Sequence, residues 1–285
     1  MKNAHLRLLF LIVFLTTGAR TKERSSTPPI VDFPSGTLRL EAYLWKPAGR
    51  GPFPAVLFCH GSGGNTPDTT AGMPIVEAAN RLAPFFVKHG YAFLYPFRRG
   101  QGLSADQAPF MQDVLRREEE KNGKQARERL QFKLLTTDQL DDVMAALAFL
   151  KTVPGIEVHR IAVVGHSFGG QLSLLAAERD STIPAAVSFA GAAASWERSA
   201  ELRDRLLIAV RKARAAMMFI HAENDYSTIA GRALAEELER LHKPHSLEIY
   251  PRVGLTSEDG HNMVYEAIPA WEEDVFRFLD QHVKG

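Results

Sequence analysis

One cysteine, Cys59, is all the thiol chemistry in 285 residues, so no internal disulfide can staple the fold. It ends an apolar run, where a thiol is buried and inert rather than nucleophilic. Charge of one sign is also lacking: 34 basic against 33 acidic side chains leave a formal net charge of +1. That balance offers a polyanion nothing to hold, so no nucleic-acid partner is expected. Neither a Gly-rich phosphate loop nor a His/Cys cluster at metal-ligand spacing occurs, and no cofactor or metal is implied. Long hydrophobic runs are missing too. Leu8–Leu15 has eight apolar residues, whereas a membrane span needs about 20, so no stable span is expected.

That short run has its own meaning. Lys2, His5 and Arg7 precede it, and Thr17-Gly18-Ala19 follow it. A basic start, a brief apolar centre and a small-residue end form a secretory signal, here residues 1–19 with cleavage near Ala19. The mature chain is therefore expected to be secreted or periplasmic. Residues 20–35 are polar and Pro-containing and read as a linker.

From there the apolar runs alternate in type. Leu38–Trp45, Pro54–Cys59, Tyr91–Pro96, Ile161–Val164, Ala185–Ala190, Ala216–His221 and Leu247–Tyr250 have strand patterns. Residues 75–88 and Leu140–Leu150 have helical ones, with Leu140, Val143, Met144, Leu147 and Leu150 on one face. Such alternation predicts an α/β fold with a mostly parallel sheet covered on both faces. Ligands bind beyond the carboxyl ends of the strands in such sheets. Residues 104–136 break the rhythm with Arg116–Lys121 and Arg127-Glu128-Arg129. They form either a solvated helix–turn–helix excursion or a lid over the pocket.

The strand Ile161–Val164 runs into Gly165-His166-Ser167-Phe168-Gly169, a G-x-S-x-G turn followed by a helical stretch from Gln171. Strand, sharp turn and helix in that order present a serine hydroxyl above the sheet edge as a nucleophile. A serine needs a base, and the base needs an orienting carboxylate. In this arrangement the acid and then the base follow the serine along the chain. Asp225 is the preferred acid, in the polar loop after Ala216–His221, with Glu223 as its rival. His261 is the base, in a polar loop before a final helix around Ala270–His282. The other histidines have plainer readings. His166 packs beside the serine, and His221 is a core or supporting residue on its strand.

Acyl transfer also needs two donors for the developing oxyanion, each worth about 3 kcal/mol. The Phe168 N–H, at the helix N-terminus, is one. The loop His60-Gly61-Ser62-Gly63-Gly64 supplies the other, from Ser62 or the neighbouring Gly61 N–H, because its glycines let amides turn inward.

Together with Arg98-Arg99-Gly100-Gln101-Gly102, these motifs make the chain resemble the α/β-hydrolase superfamily over about residues 36–285. Within it the chain is similar to the dienelactone hydrolase and prolyl-oligopeptidase-like catalytic domains. The resemblance implies the α/β-hydrolase fold with about eight strands, an acyl-enzyme mechanism and the roles assigned above. Two departures matter. Dienelactone hydrolases typically carry a cysteine where Ser167 stands. Prolyl oligopeptidases carry a large N-terminal propeller; with about 35 residues before the hydrolase core, that gate is expected to be absent here. Both favour a simple serine hydrolase of small-molecule carboxylic esters. A dipeptidyl- or aminopeptidase-like activity is the alternative, with Glu118–Glu120 as the only amine anchor in view. A non-catalytic binding protein on this scaffold is the third reading.

Overall fold

The structure is a computed structural model, and it describes residues 28–285. The expected signal and the first part of the expected linker lie outside the described residues. The linker's last six residues differ from expectation. Ile30–Ser35 form β1, which pairs antiparallel with β2 (Leu38–Trp45). Gly36, at φ +59°, lies in the tight turn between them and takes the left-handed conformation that glycine adopts at no steric cost. Phe33 and Ser35 face inward, so this segment is an edge strand rather than a tether.

The remaining strands are β3 (Phe53–Cys59), a small hairpin of β4 (Thr69–Thr70) and β5 (Met73–Pro74), β6 (Ala92–Pro96), β7 (Ile156–His166), β8 (Ala185–Phe189), β9 (Ala216–Ala222) and β10 (His245–Tyr250). Eight of them make one sheet in the order β1-β2-β6-β3-β7-β8-β9-β10. Only β2 runs against its neighbours. The inner strands are apolar on both faces because helices cover both. On β7, Ile161 and Val163 point into one core layer while Ala162 and Val164 point into the other.

The helices are α1 (Ile75–Lys88), α2 (Met111–Asn122), α3 (Lys124–Thr136), α4 (Asp138–Thr152), α5 (Phe168–Arg179), α6 (Ala200–Lys212), α7 (Ile229–Arg240), α8 (Ser257–His261), α9 (Met263–Glu266) and α10 (Ile268–Leu279). Apolar residues of α4, α5, α6 and α7 fill the first layer, and those of α1, α9 and α10 fill the second. This is the α/β-hydrolase architecture expected from the sequence. Its consequence for function lies in the register. Cys59 pairs with Gly165, His166 with Phe189, and Phe189 with Ile220. The carboxyl ends of β3, β7, β8 and β9 therefore finish close together, and the loops leaving them meet.

The polar segment after β6 is a short 3-10 turn, Gly102–Gln107, then the helical hairpin α2–α3. Gly123, at φ +82°, separates the two helices. Met111, Leu115, Ala126 and Leu135 are buried, while Gln112, Arg127 and Gln131 border a cavity beside Ser167. The hairpin is thus packed on the core and faces the cleft with its polar side chains.

Candidate active site

Ser167 is the residue between β7 and α5, at φ +56° and ψ −116°. No β-branched or bulky residue is at ease there, and such strain costs roughly 1–3 kcal/mol. The turn can be this tight only because its neighbours lack side chains. A Cβ on Gly165 would strike the Gly169 carbonyl, and one on Gly169 would strike that of Cys59. The Ser167 amide donates to Phe189 O at 2.8 Å, which ties the turn to β8. What the strain achieves is exposure of the hydroxyl at the sheet's carboxyl edge.

His261 Nε2 lies 2.9 Å from Ser167 Oγ. Its Nδ1 lies 2.7 Å from Asp225 Oδ1. Asp225 follows β9, and its side chain has no exposed surface. An ionised carboxylate only accepts hydrogen bonds, so Nδ1 carries the proton and Nε2 presents its lone pair to the serine. Burial pushes the Asp225 carboxyl up, but hydrogen bonds from His221 and His261 outweigh that and hold it at about 2. The structure therefore brings Ser167, His261 and Asp225 into one hydrogen-bonded line. Glu223, the rival acid, is exposed and takes no part in it.

His261 is not in a loop, as the sequence reading expected, but ends the short helix α8. Thr256 accepts from the Asp259 N–H at 3.1 Å, and Asp259 accepts from the Thr256 N–H at 2.8 Å. This capping box fixes the helix start. The Thr256-x-x-Asp259 spacing was the signal for it. The His261 carbonyl is held as well, by the His166 Nε2–H at 2.9 Å. Burial, then the neighbouring His261 ring, pulls His166 down to about 3, so it stays neutral.

The two expected oxyanion donors border the cleft. Phe168 opens α5, whose first amides have no partner within the helix. Ser62 lines both cavities that flank Ser167, one of about 250 Å³ and one of about 180 Å³. The loop carrying it is held from below by Arg98, in the Gly-rich turn after β6. Arg98 is 1% exposed. Its guanidinium donates to His60 O at 2.8 Å and Gly61 O at 2.6 Å, and its Nε to Gln139 Oε1 at 2.8 Å. Across a trans peptide the C=O and the following N–H point in opposite directions. Turning the His60 and Gly61 carbonyls toward Arg98 thus turns the Gly61 and Ser62 amides away from it. Arg99 is held as well: Asp142 accepts from its backbone N–H at 2.9 Å and from its guanidinium at 2.7 Å, 2.9 Å and 3.1 Å.

The cavity that includes His261 also contains Tyr226, Glu258 and Asn262. The smaller one lies against Phe168, Gln171, Arg127 and Arg198. None of Glu118–Glu120 lines either cavity. Glu119 instead pairs with Arg127 at 3.1 Å. Among the described residues no group of His, Cys, Asp and Glu could hold a metal ion, and no helix is long and apolar enough to cross a membrane.

Comparison with known proteins places this geometry. The model of the dienelactone hydrolase family matches residues 40–282. The quorum-quenching protein AidA of Acinetobacter baumannii is 30% identical over 161 residues, 56% of this chain and 43% of that protein. The chain thus spans less than half the length of that relative. Among solved structures, Pyrococcus horikoshii acylaminoacyl peptidase superposes with a TM-score of 0.62 at 19% identity, over 90% of this chain and 42% of its own. A dienelactone hydrolase from Anabaena variabilis does so with a TM-score of 0.61 at 19% identity, over 90% and 98%. These likenesses show the fold.

Proposed function

We propose that this chain, which belongs to the dienelactone hydrolase family, is a hydrolase that cleaves small carboxylic esters through an acyl-serine intermediate. One observation carries the reading: the unbroken line from Ser167 Oγ through His261 to a buried Asp225. In this reaction Ser167 Oγ attacks the ester carbonyl as its proton passes to His261 Nε2. Asp225 holds the imidazole in the required tautomer and stabilises the imidazolium that forms. The tetrahedral oxygen takes hydrogen bonds from the Phe168 amide and from Ser62 or Gly61, which Arg98 turns. Collapse breaks the bond to the alcohol, which leaves with the proton from Nε2. Water then attacks the acyl carbon, giving its proton to His261; collapse breaks the bond to Ser167 Oγ, which takes that proton back, and the acid is released.

In this reading the two arms of the substrate take separate cavities. The departing alcohol must lie within reach of His261 Nε2, so it occupies the cavity of about 250 Å³ that contains that ring. The acyl group takes the cavity of about 180 Å³ beneath α2–α3. Among the described residues the cavity of about 180 Å³ is lined by Arg127 and Arg198 and by no carboxylate, which supports an ester over an aminopeptidase substrate. Export of the mature protein is part of the same proposal and rests on the basic-apolar-small order of residues 1–19.

The test is steady-state hydrolysis of p-nitrophenyl butyrate against its matched anilide. The wild type should turn over the ester far faster than the anilide. Ser167→Ala should lose at least about 10⁴-fold in kcat. Full ester turnover by Ser167→Ala would refute the assignment.

A further inference from the structure

Asp225 has a second histidine on it. His221 Nδ1 lies 2.7 Å from Asp225 Oδ2, while Oδ1 accepts from His261 Nδ1 at 2.7 Å and from the Tyr226 amide at 2.7 Å. His221 is on β9, four residues before the carboxylate, and its side chain is 1% exposed. Nothing in the reaction above uses it. Yet a carboxylate has two oxygens, and a histidine that binds one leaves the other free to turn or to seek a different donor. In this site neither freedom exists, because both oxygens are occupied in a region with no exposed surface.

We propose that His221 is a positioning residue: by donating to Asp225 Oδ2 it fixes the carboxylate plane, and through it the His261 ring, in the orientation that accepts the Ser167 proton. This rests on the esterase reading. The carboxylate accepts from both imidazoles, so each carries its proton on Nδ1. Removing the His221 donor leaves Oδ2 buried without a partner. The carboxylate can then rotate about Cβ–Cγ to share its remaining donors. His261 turns with it, and Nε2 leaves the line to the hydroxyl.

A second feature shows that the fold makes room for this ring in particular. Gly231 is the third residue of α7, where glycine is about 1 kcal/mol less favourable than alanine. A Cβ there would sit 2.6 Å from His221 Nε2 and 2.7 Å from Cδ2. The helix gives up a side chain so that the imidazole edge can lie against its backbone. Packing of that closeness leaves the ring little freedom other than the pose that reaches Asp225.

The distinction between a positioning role and mere core filling is testable with two replacements. Asn Nδ2 occupies nearly the place of His Nδ1 on the side chain and can donate to Oδ2, whereas Leu fills the space and cannot. His221→Leu should lose about 10- to 100-fold in kcat on p-nitrophenyl butyrate with little change in KM, as expected for a small misplacement of a reacting group. His221→Asn should recover most of that loss. Proton NMR supplies a readout that needs no substrate. The wild type should show two low-field imidazole Nδ1–H signals, of which His221→Leu removes one and shifts the other, while His261→Gln removes the other. Leu and Asn variants of equal activity, or a single low-field signal in the wild type, would overturn the proposal. If the wild type turned over no ester at all, the esterase reading would fail, and the NMR count would still decide whether His221 orders Asp225.

Discussion

Asp225 and Glu119 are both carboxylates bonded to nitrogen bases, and both stand in elements bordering the cleft. Asp225 has no exposed surface and accepts three hydrogen bonds, from two imidazoles and an amide. Glu119 joins α2 to α3 through one contact with Arg127, with side chains 47% and 27% exposed. Around Asp225, each group is held by several others of fixed direction, from the strained elbow to the capping box of α8. Across α2–α3 the contacts are those of a wet surface, where water competes for each partner. A bond line that moves protons has to be dry and over-determined. A wall that only bounds a pocket does not.

The difference can be measured on one scale. Burial costs Asp225, but its hydrogen bonds hold it at about 2, below the ordinary aspartate value of 3.8. A carboxylate lowered on folding contributes stability that is complete above its unfolded value and is lost as pH falls toward its folded value. That contribution is on the order of 2 kcal/mol. Urea unfolding of the wild type should therefore lose about 2 kcal/mol more between about pH 5 and about pH 2 than Asp225→Asn does. Other lowered carboxylates, such as Asp180 and Glu272, cancel in that difference. An equal loss in both proteins would mean that Asp225 is not held as the structure shows.

The smaller effect belongs to the hairpin. Glu119→Gln removes its ion pair with Arg127, and exposed pairs contribute at most about 1 kcal/mol. The same urea titration at neutral pH should move by less than that, and the shift should vanish in high salt. A loss comparable to that from Asp225 would break the contrast drawn between the two regions.

The same contrast explains what could be read in the sequence. The elbow is a local device: an apolar strand, glycines where a Cβ collides with backbone, and a helix. Strand, turn and helix follow from a dozen consecutive residues, and the chain order of serine, acid and base follows from topology. Arg98 could not be read so. An arginine in a Gly-rich turn looks solvated until His60 O and Gly61 O, nearly forty residues earlier, are placed beside it. Likewise the polar sequence of α3 does not say which of its faces meets Phe168 and Gln171. The strand β1 was legible in principle, since Ile30–Ser35 and Leu38–Trp45 flank a Gly-containing turn, but its polar, Pro-rich approach masked it. The sequence reads His221 only as a core or supporting residue on its strand, because only the fold sets its ring on the second oxygen of Asp225.

The claim at the centre of this account is that the line from Asp225 through His261 activates Ser167. It is tested most directly by phosphonylation with a fluorophosphonate, the adduct being located by mass spectrometry in the wild type and in His261→Ala. The account predicts one stoichiometric adduct, on Ser167, and its loss in His261→Ala. An unmodified wild type, an adduct on another residue, or undiminished labelling without His261 would contradict it.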